Sequence, residues 1–433
     1  MDAHIALNRL GLGARPGEAA TLDDPAAWLD AQLVAAPAGL PHEAGLPSTG
    51  QILRTLLDNR GLDRQMRRQA ATAQLQADVA AWWTSRRQTD ATFFHRWWAF
   101  FGNHFAVSAA KRQVVPLWGV FQRDALRPHV LGRFEDLLLA SSRHPAMLLY
   151  LDNAASFGPD SRVGQRGGRG LNENLAREIL ELHTLGVDGG YSQADVQGLA
   201  ALITGWSVAR RPEELARDGF VFRKGAHQPG SKQLLGQTFP AGEAGGEQAL
   251  RMLANHPQTR RHVCTKLARH FVEDVPSRGL ISDLEDAWER SNGTLAAVGQ
   301  ALVRHPDVAR PEARKLKTPQ DLVTSVARAL PEFAPKNPDG PARALGQPAA
   351  LVPSPAGWDD EAAAWLGPEG MLSRIDLAVQ AANRSFRTTP DVPGLARDLL
   401  GTAATGPLLS QLAAARPRRA LTLMLASPAF QRR

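Results

Sequence analysis

Apolar residues recur at the spacing of one helix face along almost the whole chain, and that repetition leaves little room for anything but a helical fold. The pattern covers residues 25–33, 50–59, 62–84, 91–105, 114–126, 129–141, 146–151, 172–185, 193–204, 246–254 and 259–272. It resumes over 281–291, 295–303, 318–329, 369–383, 392–399, 406–414 and 417–426. An all-α, multi-helical globular array is therefore expected. One small β-hairpin insertion is expected within it, pairing residues 220–222 with 233–235 through the turn RKGAHQPGSK. Pro- and Gly-rich connectors fall at 37–50 and 331–357. The second predicts a main helical domain, 1–330, carrying the candidate site, and a C-terminal helical lobe, 331–433, packed on it.

With 433 residues, 43% of them hydrophobic, the chain is long enough to bury a large core. No run of about 18 apolar residues occurs, so no membrane span is expected. Cys264 is the only cysteine, which excludes an intrachain disulfide, and its helical spacing with Leu267, Ala268 and Phe271 predicts a buried, inert thiol. The net charge is +7 without any run of five basic residues, so nucleic-acid binding is permitted but not indicated. The opening residues carry no export signal, giving cytoplasmic placement as the expectation, with periplasmic co-export alongside a partner as the alternative.

The stretch GLNENLAREILELHTLGVDGGY, residues 170–191, is a helix with both ends marked. Asn172 suits an N-cap and Gly186 suits a left-handed turn after Leu185. Leu175, Ile179 and Leu182 form an apolar stripe with His183 on its side, while Asn174, Arg177, Glu178 and Glu181 gather opposite. That polar arc can hold a ligand, pair internally, or simply be solvated. Upstream, SFGPDSRVGQRGGRG reads as an open Gly- and Arg-rich loop feeding a helix N-terminus, an arrangement that can bind an anion or merely lie at the surface.

Further candidates are His104 with Asn103 beside an aromatic stripe, Asp152 and Asn153 closing MLLYLDN, and His227 with Lys232 on one tight bend. His144, His256 and His305 each precede proline, as Ser427 does, and are expected to cap helices. No HExxH, cysteine pair or Asp-rich loop is present. A metal site could only be dispersed, using Glu178, Glu181, His104 or His183; neither metal nor cofactor can be assigned.

IALNRLGLGARPGE, FFGNHF, GRFEDLLLASSRHPAMLLYLDN, the 169–206 block, HQPGSKQLLG and LASPAFQRR together resemble a bacterial domain-of-unknown-function family, numbered eighteen hundred, over nearly the whole chain. The resemblance implies a mostly helical protein, often exported, often accompanied by a partner similar to the alkaline-phosphatase/sulfatase superfamily. Its motif positions fall on Asn103, His104, Asp152, Asn153, Asn172, Glu173, Asn174, Arg177, Glu178, Glu181, His183, Thr184, Trp206, His227 and Lys232. The chain departs from it in lacking an export signal and in carrying Gln228 where an acidic residue is common.

Two functions follow as expectations. One is an enzyme acting on a polar or anionic substrate, with Glu178 or Glu181 as base, His104 or His183 as acid, and Asn103, Asp152, Asn153, Asn174, Arg177, His227 and Lys232 binding substrate. The other is a non-catalytic binding or maturation partner of an alkaline-phosphatase/sulfatase-like protein. A convergent cleft favours the first, and an exposed apolar patch the second.

Overall fold

The innermost element is the helix Thr92–His104, in which Phe93, Phe94, Trp97, Trp98, Phe100 and Phe101 are all buried, and so are His95, Arg96 and His104. A helix apolar on every side can be solvated nowhere, so the rest of the chain wraps around it. Trp97 and Trp98 satisfy their indole N–H groups on the carbonyls of Val130 (2.8 Å) and Gln122 (3.0 Å). The computed structural model describes residues 1–36, 43–167, 170–310 and 315–433. Part of the 37–50 connector and Gly168 and Arg169 of the glycine-rich loop lie outside these residues.

The regular secondary structure of the described residues is helical apart from two small antiparallel sheets. Long helices fall where the periodicity places them, for example Arg64–Gln88, Pro257–Phe271 and Pro368–Ser385. Some stretches differ, among them 129–141, whose helix begins only at Phe134. The segment expected as one helix over 114–126 is broken into Val115–Leu117, Trp118–Val120 and a π-helical turn Phe121–Leu126. The glycine-rich loop contains a short helix, Arg162–Gly167.

The expected hairpin does not form. Strand β1, Trp206–Val208, pairs with β2, Phe220–Phe222, and β3, Lys232–Leu234, pairs with β4, Gln237–Phe239. The turn that was to join β2 to β3 is instead consumed by a 3-10 turn, Lys224–Ala226, and by anchoring of His227 onto Thr204. β2 therefore pairs back onto β1, and β3 forward onto β4.

The three His-Pro pairs behave as caps. His144, His256 and His305 each use Nδ1 to accept from the backbone N–H two residues on, at 3.1 Å in every case, with proline at the first helical position. Ser427 caps its helix in the same way through Phe430 N. Cys264 is fully buried, and burial pushes its thiol pKa up, away from reactivity.

The later part of the chain is tied back to the earlier part by specific bonds. Asp339 accepts from the Trp83 indole (3.1 Å). Asn103 clasps the backbone of Trp358 with both ends of its amide, at 2.8 and 2.7 Å. His270 pairs with Asp360 (2.6 Å). Arg433 bonds Asp321, and its backbone pairs with Lys315. Among the described residues, no helix is long and apolar enough to cross a membrane.

Candidate functional site

The turn into the 170–191 helix is closed by its own side chains. Asn172 Oδ1 accepts from Asn174 N (3.0 Å), while Asn172 N donates to Ser156 Oγ (3.0 Å). These bonds engage Asn172 N and Asn174 N, while the N-cap position itself falls on Glu173, which makes no side-chain cap, rather than on Asn172. The helix then runs as α from Asn174 to Glu178 and as π from Ile179 to His183. Gly186 follows with φ +88°, as the sequence predicts. A π turn leaves the last carbonyls poorly placed for ordinary intrahelical bonds.

Three side chains satisfy those carbonyls. Thr184 Oγ1 donates to Ile179 O (2.6 Å), His262 Nε2 to Leu182 O (3.1 Å) and His104 Nε2 to His183 O (3.1 Å). His104 is thus a strut closing the helix end, packed among Phe100, Phe101, Phe105 and Phe134. Burial holds its ring far below the usual imidazole range, with Lys266 and the neighbouring histidines adding to the effect. His183 is equally buried, neither ring nitrogen has a hydrogen-bond partner, and burial depresses its pKa to about 3. Both rings are therefore neutral and shut off from solvent. They cannot deliver a proton to a substrate on the surface.

The opposite face is different. Arg177 is held by Glu173 (2.9 Å) and Gln193 (3.0 Å), and Asn174 is exposed. Glu178 is half-buried, and its pKa is raised first by burial and then by the charge of Glu181, with Arg177 opposing. The chain's only two tyrosines border this pair. Tyr150 is held protonated by burial and by Glu178, and Tyr191 by burial and by Glu181, which its hydroxyl faces. Neither tyrosine stands among the residues expected from sequence, although both lie inside the quoted segments MLLYLDN and GGY. Their scarcity was the available signal.

The remaining candidates are dispersed in their roles. Asn103 is the clasp on Trp358 described above. Asn153 donates to the carbonyls of Ile203 (3.1 Å) and Trp206 (3.0 Å). His227 bonds Thr204 O through Nδ1 (2.8 Å) and accepts from Gly242 N through Nε2 (2.8 Å). Lys232 donates to Gln228 O, and burial lowers its pKa to about 8. Each of these four side chains holds backbone through at least one hydrogen bond, while Asn153 Oδ1 is buried without a partner among the described residues. Asp152, in the left-handed region at φ 60°, pairs with Lys111 (2.6 Å) and borders a surface groove. Among the described residues, no group of three or more His, Cys, Asp or Glu is placed to hold a metal ion, so the dispersed set does not assemble into one.

The chain matches no curated protein and no solved structure. From residue 5 to residue 432 it matches the model of the family described as "Protein of unknown function (DUF1800)", and it belongs to that family.

Proposed function

We propose that the face formed by Glu178, Glu181, Tyr150 and Tyr191 carries acid/base chemistry on a polar or anionic substrate. What supports this reading is a half-buried, solvent-reachable Glu178 standing beside a second carboxylate, with the Tyr150 phenol near Glu178 and the Tyr191 phenol on Glu181, a setting that raises the Glu178 pKa. A carboxyl whose pKa climbs towards the working pH can both give and take a proton, whereas an ordinary exposed glutamate is only a weak base. In this scheme Glu178 transfers the proton, Tyr150 donates a hydrogen bond to a substrate oxygen, and Tyr191 keeps its hydroxyl on Glu181. Arg177, already paired, sets the local field. His104 and His183 have no part in the chemistry.

The test is a panel of chromogenic esters, phosphate esters and glycosides, run on the wild-type protein and on Glu178→Gln. The swap keeps shape and removes basicity, so any turnover that belongs to this site falls ~10²-fold or more with the melting temperature nearly unchanged. Turnover that survives the substitution overturns the reading.

A second reading, a non-catalytic binding or maturation partner of an alkaline-phosphatase/sulfatase-like protein, draws support from one surface feature. The helix Pro368–Ser385 exposes Met371, Leu372, Ile375 and Val379 along one side, with Leu372 63% exposed. Leu372→Glu with Ile375→Glu would abolish co-purification with such a hydrolase if this reading holds, and leave it intact otherwise.

A further inference from the structure

A second feature includes neither Glu178 nor Glu181 in its lining, and its reading does not depend on the proposed chemistry. The first half of the helix Arg64–Gln88 stands off the body, exposed over residues 64–70 on every side. Its sequence, RQMRRQAATAQLQ, consists almost wholly of good helix formers, so it keeps its shape without burying a face. Together with the helix Thr49–Asp58 and the turns around residues 109–116 and 207–210, it walls a groove of about 1620 Å³. Pockets that hold a single small molecule measure ~300–1,000 Å³. The groove is built for something larger.

Its chemistry is two-layered. Arg60, Arg64, Arg67, Arg68, Arg112 and Arg210 line it against a single acid, Asp152, which is already paired with Lys111. Arg64, Arg67, Arg68 and Arg112 have no carboxylate partner among the described residues, although Arg60 donates to the Arg210 carbonyl (2.9 Å). The same groove carries an aliphatic lining, Leu53, Leu56, Leu57, Leu75, Leu148 and Leu149, of which Leu56, Leu57, Leu75 and Leu149 are partly exposed and can serve as its floor. Among the described residues, no aromatic side chain lines it. Single-stranded nucleic acid would be expected to use aromatic stacking platforms, and phosphates gain nothing from a leucine floor.

We propose that this groove takes an acidic amphipathic helix of a partner protein, with leucine-type residues seated on the aliphatic floor and carboxylates meeting the arginines of the rim. The wall from Arg64 to Gln76 is ~20 Å long at the rise of an α-helix, which suits three to four turns of a partner helix. Charge complementarity sets orientation and speed of docking, and the floor provides the desolvated contact.

The probe is a fluorescein-labelled peptide of about four helical turns, with leucines at i, i+3, i+4 and i+7 spacing and glutamates elsewhere. Its anisotropy is followed against the full-length protein at low and high salt. The proposal expects saturable binding that weakens as salt rises and drops about tenfold or more in Arg64→Glu with Arg68→Glu. Both residues are exposed, so the fold should be unaffected. A lysine-for-glutamate version of the peptide should recover affinity for that variant. Equal binding of a scrambled peptide lacking the leucine face would overturn the floor's role, and with it the proposal. So would tighter, Arg-dependent binding of oligouridine than of the peptide, or peptide binding indifferent to the charge reversal.

Discussion

The two sides of the helix spanning Asn174–His183 use the same kinds of residue for opposite ends. On one side His183 lies in the aromatic core, with His104 and His262 spending their ring N–H groups on the helix's last carbonyls. On the other side Glu178 keeps contact with water, and its neighbours are a carboxylate and two phenols rather than backbone. A histidine commonly titrates near neutrality and a glutamate well below it, yet here burial keeps the histidines neutral and shifts the glutamate upward. What distinguishes the two sides is which hydrogen-bonding partners remain unspent and whether solvent reaches them.

The largest test of that contrast is acid. His144 and His183 have pKa values depressed to about 3, and His262 and His270 to about 4, from an ordinary value of 6.5, all chiefly by burial. Below pH 6.5 the unfolded chain binds protons that the folded chain refuses, so stability is complete above that value and falls as pH descends through the window from 6.5 to about 3. Circular dichroism should show loss of the near-ultraviolet signal inside this window, with net proton uptake on unfolding. Full native signal at pH 3 would break the claim that the histidine side is a neutral core.

Next in size is Asn103→Ala. It leaves the Trp358 N–H and carbonyl without the partners they have at 2.7 and 2.8 Å, and should cost about 1–3 kcal/mol in denaturant melts. Gly357, at φ +81°, is pressed so close that a Cβ would lie 2.4 Å from Asn103 O, so the loop has little freedom to re-pair. A ligand-binding asparagine would instead lose function and leave stability alone.

His183→Leu should do less. Its ring makes no hydrogen bond, so replacing it by an apolar side chain forfeits none, and unfolding free energy should change by under about 1.5 kcal/mol in either direction. The acid midpoint should move down, because one group that must otherwise stay neutral has gone. An unmoved midpoint would mean that the buried ring is not part of the acid response.

Much of this architecture is legible in the sequence where local chemistry is sufficient. The His-Pro caps, the left-handed Gly186, the buried Cys264 and the apolar side of His183 all follow from propensity and period. The pairing of β1 with β2 does not, since strands of three residues carry too little pattern to choose a partner and the choice is made by tertiary anchors such as His227 on Thr204. His104 was visible as a buried-face histidine, but its acceptor is a carbonyl orphaned by a π turn, and nothing in the spacing announces a π turn. The arginine groove was hidden for a similar reason: its wall is a helix half without a buried face, which reads as solvated surface until its neighbours are in place.

The smallest effect belongs to Arg177→Ala, and it bears on the polar side alone. Arg177 is 40% exposed and bound to Glu173 one helical turn away, so removing it should cost no more than about 0.5 kcal/mol. Its charge nevertheless opposes burial and Glu181 in setting the Glu178 equilibrium. With the guanidinium gone, the protonated form of Glu178 gains ground, and carboxyl-carbon NMR should find its titration midpoint moved upward. Substitution at His104 should leave that midpoint where it is, because His104 is neutral and contributes no charge to the Glu178 equilibrium. A Glu178 midpoint that falls in Arg177→Ala, or that follows His104 instead, would erase the division between a side that holds the fold and a side that is free to react.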